Sequence, residues 1–88
     1  MDLAPVNSMA DTKHMTLTIK LYGVFRIDRF KEQQFRFPAG FCVDEVVEQL
    51  QLNRQLLGII LINDQHADMA TKLADGDTLA LLPILEGG

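Results

Sequence analysis

The chain has 88 residues, enough for one domain with a modest core, because small chains bury a smaller share of their surface on folding. Hydrophobic residues make up 48% and charged residues 23%, a balance that excludes a disordered or low-complexity chain. Eight basic against twelve acidic residues leave a formal net charge of −4, which repels phosphate backbones and anionic lipid, so neither nucleic acid nor a membrane is expected as a direct partner.

Residues 1–14 mix Pro5, Asn7, Ser8, Asp11 and Thr12 with isolated apolar side chains and follow neither a helical nor a strand period. They read as a flexible leader to a single domain over residues 15–88. The leader has no basic start or apolar stretch of a secretory signal, and the lone Cys42 has no internal disulfide partner, so a reducing, cytoplasmic setting is expected. No apolar run approaches the roughly 20 residues of a membrane-spanning helix.

In residues 16–22, Leu17, Ile19 and Leu21 alternate with Thr16, Thr18 and Lys20, the pattern of a half-buried strand. Residues 34–37 repeat it with Phe35 and Phe37 inward, and Pro38-Ala39-Gly40 closes the segment. The charged stretch 23–33 between them is expected to be a long hairpin loop, with Arg26, Arg29 and Lys31 in solvent. Val43, Val46, Val47 and Leu50 share one face of a helix expected over residues 43–52, with Asp44 and Glu45 in its first turn. The run 59–62 is a strand whose inward face alternation does not choose. Asp75-Gly76-Asp77 is a turn, residues 78–82 are the last strand, and Pro83, lacking an amide donor, is expected to end its ladder. This order of elements predicts an α+β fold with a mixed sheet of four or five strands and one main helix on one face. Its expected core is Leu17, Ile19, Leu21, Phe35, Phe37, Val46, Val47, Leu50, Leu79 and Leu81.

The sequence finishes Leu82-Pro83-Ile84-Leu85-Glu86-Gly87-Gly88. Glycines can lie extended in a channel too narrow for a Cβ, and what they carry is an α-carboxylate, ionised at neutral pH and unreactive until it gains a leaving group. Leu82, Ile84 and Leu85 continue an apolar run past the last strand, which suits a partner-binding patch. The chain contains no P-loop, nucleophile elbow or paired-histidine motif, so no catalytic residue is assigned.

The segment from Leu73 to Gly88, with its leucine, Asp-Gly-Asp turn, apolar strand and terminal glycines, resembles the C-terminal signature of the MoaD/ThiS family of ubiquitin-like sulfur carriers. These are the small subunit of molybdopterin synthase and the thiamine-pathway sulfur carrier. Pro83, and Glu86 where the thiamine branch has a further glycine, favour the molybdopterin branch. The resemblance implies a β-grasp fold and a carrier without enzymatic activity or bound cofactor. It further implies that Gly88 is adenylated with ATP by an enzyme of the ubiquitin-activating type and converted to a thiocarboxylate. Glu86 and Gly87 would line up in the partner's channel, while Leu82, Pro83, Ile84 and Leu85 would contact the partner. The sulfur acceptor would be the large subunit of molybdopterin synthase or another enzyme. The other readings are a carrier for thiamine or transfer-RNA thiolation, and a ubiquitin-like interaction or conjugation module.

Cys42 stands where that family often has Thr or Ser and is a poor helix N-cap; beside an apolar helix start it reads as a packed residue. His14 and His66 lack ligand spacing, and Asp75 and Asp77 lack the surroundings of a calcium loop, so no metal site is expected.

Overall fold

The computed structural model describes residues 13–84, so the expected leader as far as residue 12 and the stretch from Leu85 to Gly88 lie outside the described residues. Strand β1 (His14–Leu21) alternates as its sequence dictates, burying Met15, Leu17, Ile19 and Leu21. Strand β2 (Glu32–Pro38) pairs with it antiparallel, placing Phe35 opposite Leu17 and Phe37 opposite Met15. It is longer than the expected 34–37 because Glu32 and Gln33 extend the ladder to Lys20 and Ile19. Within the connecting loop, a 3₁₀ turn (Gly23–Arg26) folds Phe25 back into the core.

Helix α1 (Val43–Leu50) buries Val43, Val46 and Val47 against β1 and the last strand. Its free amides find partners despite the weak cap. Val43 and Asp44 donate to the carbonyls of Thr71 and Met69, and the Glu45 carboxylate accepts from the Cys42 amide at 2.9 Å. The helix stops at Leu50, two residues short of the expected end. Gln51 adopts the left-handed conformation (φ 59°) and donates to the Glu48 carbonyl, while Leu52 donates to Val47 and is itself buried. This is a Schellman ending without its usual glycine, which is why the sequence did not announce it. Arg29, expected in solvent, instead donates to the Leu50 and Gln51 carbonyls at 2.7 and 3.2 Å, bringing from the hairpin the positive charge that the last helical turn lacks.

After a 3₁₀ turn (Arg54–Leu56) come strand β3 (Leu57–Ile62) and strand β4 (Gln65–His66), joined through Asn63 and Asp64, both at positive φ as a two-residue type I′ hairpin requires. Strand β5 (Thr78–Pro83) lies between β1 and β3, parallel to the first and antiparallel to the second, giving the order β2-β1-β5-β3-β4. A five-stranded mixed sheet with parallel central strands and one helix across its face is the ubiquitin-like β-grasp fold.

Eight of the ten expected core residues are buried; Phe35 and Leu50 are only half-buried. Phe35 sits on the edge strand β2, where its ring packs between Phe30 and Phe37, and Leu50 sits at the helix end. On β3 the inward residue is Ile60, opposite Leu81, while Ile59 faces outward opposite Leu82.

Candidate functional site at the end of the last strand

The Asp-Gly-Asp turn works at the start of β5 as a structural lock. The Asp75 carboxylate accepts from the Thr16 amide at 2.7 Å, and the Gly76 amide, at φ 90°, donates to the Thr16 carbonyl. Asp77 accepts from the Asn63 side chain and from the Ala74 amide, and the Asn63 side-chain oxygen Oδ1 accepts from the Thr78 amide. These bonds fix β5 against β1 and the β3–β4 hairpin, and so set where its far end emerges.

Sheet register then sorts the residues of β5. Leu79 and Leu81 point beneath the helix into the core. The neighbours Ala80, Leu82 and Ile84 fall on the opposite face, beside Leu61 and Ile59 of β3, which pair with Ala80 and Leu82. That face carries no helix. Ile59 is 40% exposed and Ile84 44%, whereas the far half of the same face, over β1 and β2, presents Thr16, Thr18, Lys20, Glu32, Gln34 and Arg36. The uncovered face is thus divided into a polar half and an apolar strip that leads to the final residues. Of the partner-contact residues expected from sequence, Leu82 and Pro83 are half-buried and Ile84 is exposed, while Leu85, Glu86, Gly87 and Gly88 lie outside the described residues.

Pro83 does not end the ladder. It pairs with Leu57, and the following Ile84 amide donates to the Leu56 carbonyl at 2.7 Å. The Leu81 carbonyl accepts from Tyr22 of the β1 side, so the donor that Pro83 lacks would face β1 as well, where the chain has already turned away at Gly23. The missing donor therefore costs no bond.

Two glycines, Gly23 at the start of the stretch expected as a hairpin loop and Gly58 just before the expected strand 59–62, border the end of β5. Gly23 (φ 57°) lies against the Pro83 ring, with an ideal Cβ position 2.8 Å from Cγ. Gly58, inside β3 at a register irregularity between Leu57 and Ile59, lies against backbone: a Cβ there would sit 2.8 Å from Ile84 Cα and 2.9 Å from its nitrogen. A glycine within an otherwise apolar strand was the available signal, since it marks bulges and close backbone approach.

At the same end of the sheet a hollow of about 160 Å³ is lined by Lys20, Leu21, Tyr22, Arg26, Lys31 and Glu32, three cations against one carboxylate, a setting suited to an acidic group of a partner. Arg54 bridges Asp44 at 2.6 Å and Glu48 at 2.8 Å across the exposed helix face; these bonds, that to Glu48 first, raise its pKa further above the ordinary value. Among the described residues no group of three or more His, Cys, Asp or Glu is placed to hold a metal ion, and no helix is long and apolar enough to cross a membrane.

Comparison with known proteins yields a match between the ThiS family and residues 19–88. No curated protein sequence matches. Among solved structures, the HVO 2177 protein of Haloferax volcanii is 24% identical with a TM-score of 0.72, covering 89% of this chain and 96% of its own. Small archaeal modifier protein 1 of H. volcanii is 17% identical with a TM-score of 0.67, covering 81% and 99%. Subunit 1 and 2 of the molybdopterin-converting factor from Helicobacter pylori form a protein–protein complex that is 27% identical over the matching chain with a TM-score of 0.55, covering 84% and 100%.

Proposed function

This chain belongs to the ThiS family of ubiquitin-like sulfur carriers, and from that membership we propose that it carries sulfur as a thiocarboxylate on Gly88 for molybdopterin synthesis. The observation that carries this reading is the apolar strip of Leu82 and Ile84, which with Ile59 and Leu61 leads along the uncovered sheet face toward the residues that would enter a partner. An apolar surface ending at a glycine pair serves docking and delivery, and leaves the chemistry to the enzyme that receives it.

In the first step an oxygen of the Gly88 carboxylate attacks the α-phosphorus of ATP on an activating enzyme of the ubiquitin-activating type, and pyrophosphate leaves. In the second, hydrosulfide adds to the acyl carbonyl, AMP leaves and the added sulfur gives up its proton, so the oxygen lost with AMP is replaced by sulfur. The partner supplies charge stabilisation around phosphate and carbonyl. This chain supplies reach through Glu86 and Gly87, and identity through Leu82, Pro83, Ile84 and Leu85. The favoured acceptor is the large subunit of molybdopterin synthase; the likeness to subunit 1 in the H. pylori complex supports that choice over thiamine synthesis. The cytoplasm, where ATP and reduced sulfur are available, is the proposed site of action.

Deleting Gly87 and Gly88 tests the reading. The melting temperature is expected to stay nearly unchanged, since two glycines bury no side chain while ordering each costs about 1–2 kcal/mol of backbone entropy. Intact mass after incubation with activating enzyme, ATP and a sulfide source should show oxygen-to-sulfur exchange in the full chain and none in the deletion. Exchange in the deletion at the full rate, or none in the full chain with any cognate enzyme, overturns the proposal; a protein adduct on Gly88 instead would identify a conjugation module.

A further inference from the structure

We propose that Gly58, assisted by Gly23, clamps Pro83 and Ile84 to the sheet and so fixes the point from which the tail starts. The inference rests on the carrier reading for its purpose, though its geometry stands apart from it. β5 runs between β1 and β3, and the two glycines press on it from those two sides: Gly23, just past β1, on the Pro83 ring, and Gly58, within β3, on the Ile84 backbone.

The need for glycine differs at the two sites. Gly23 has a left-handed φ of 57°, so its backbone alone favours glycine. Gly58 has no such conformation, and in a strand interior glycine is the weaker choice, since it packs nothing. What excludes a side chain there is Ile84: the Cβ would lie 2.8 Å from Cα, 2.9 Å from N and 3.1 Å from the Pro83 carbonyl carbon. The register irregularity at Gly58 brings the two backbones together and lets the Ile84 amide reach Leu56 at 2.7 Å. Core stability does not call for this contact, because Ile84 is 44% exposed and lies past the last buried residue of β5. The clamp holds the backbone of a residue that the core does not use.

Gly88, the proposed carrier residue, lies four positions after Ile84, an extended reach of about 14 Å. A displaced root shortens or redirects that reach, and a reacting carbonyl misplaced by even about 1 Å can lose on the order of a hundredfold in rate. With the docking strip and Ile84 held on one sheet, the point from which the tail starts is fixed relative to the docking surface. Gly58 is accordingly a positioning residue, acting through Ile84.

The test is Gly58→Ala, read in two ways. Hydrogen exchange should show the Ile84 amide at least tenfold faster than in the parent, with the Leu79 and Leu81 amides still slow. Unchanged Ile84 protection overturns the clamp. With a cognate activating enzyme, kcat for Gly88 adenylation should fall at least tenfold while the Kd of docking changes less than twofold. An unchanged kcat, or a loss carried by Kd alone, overturns the positioning role. Should Gly58→Ala fold poorly, Pro83→Ala loosens the same clamp without adding bulk, and about threefold faster Ile84 exchange is expected; no change there counts against the proposal. If the parent chain is adenylated by no candidate enzyme, the carrier reading falls and the exchange measurement alone decides the clamp.

Discussion

The two faces of the sheet are built from the same strands yet answer to different demands. Beneath the helix, Leu17, Ile19, Leu21, Leu79 and Leu81 are almost wholly removed from solvent, packed against Val43, Val46 and Val47. On the uncovered face the strands β3 and β5 offer Ile59, Leu61, Leu82 and Ile84, of which none reaches full burial. The contrast separates residues that hold the fold from residues the fold can spare for contact with another protein. An apolar side chain left half-open returns little stability, so this strip is the part of the sheet that the proposed docking would use.

The comparison can be broken first at its buried side. Leu81→Ala removes a fully buried side chain from the centre of the core and should cost about 3 kcal/mol in urea unfolding. A cost below about 1 kcal/mol would mean that the helix-covered face is not the structural one. Next in size is Arg29→Ala, expected to cost about 1 kcal/mol, because the Leu50 and Gln51 carbonyls lose a charged donor at the helix end. Lys at this position should recover only part of it, as an ammonium lacks the guanidinium fork that reaches two carbonyls. Smaller and opposite in sign is Gln51→Gly, which should stabilise the domain by about 0.5–1 kcal/mol by relieving a left-handed residue that has a Cβ. The uncovered face should respond least. Ile59→Ser is expected to shift unfolding by no more than about 0.5 kcal/mol, yet to weaken docking to an activating enzyme at least tenfold by calorimetry. A large stability loss with docking intact would assign Ile59 to the fold and erase the distinction between the faces.

These elements were unequally visible in the amino-acid order. Alternation in β1 and the valine spacing of α1 placed their buried faces correctly because both periods are local: each residue's side follows from its neighbours. The run Ile59-Ile60-Leu61-Ile62 had no such period, and only pairing with β5 showed that Ile60 goes in and Ile59 goes out. Arg29 carried no local mark of its role, since its acceptors are the carbonyls of a helix end 21 and 22 residues away. Cys42 lacks the oxygen of a usual cap, but Glu45 reaches back to its amide and carbonyls from Thr71 and Met69 accept from the first two helical amides.

By itself the sequence determined the class of fold, the order of the helix and the four longer strands, most of the core and the signature from Leu73 to Gly88, all of which rest on composition, short-range period and motif. The tertiary structure decided what depends on distant segments meeting: the central place of β5 between β1 and β3, the apolar strip shared by β3 and β5, the continuation of the ladder through Ile84, and the approach of Gly58 to that backbone. The physical reason is that a side chain's inward or outward direction is set by its immediate neighbours along the chain, whereas the register and closeness of two strands are set by turns, bulges and packing that no single segment contains.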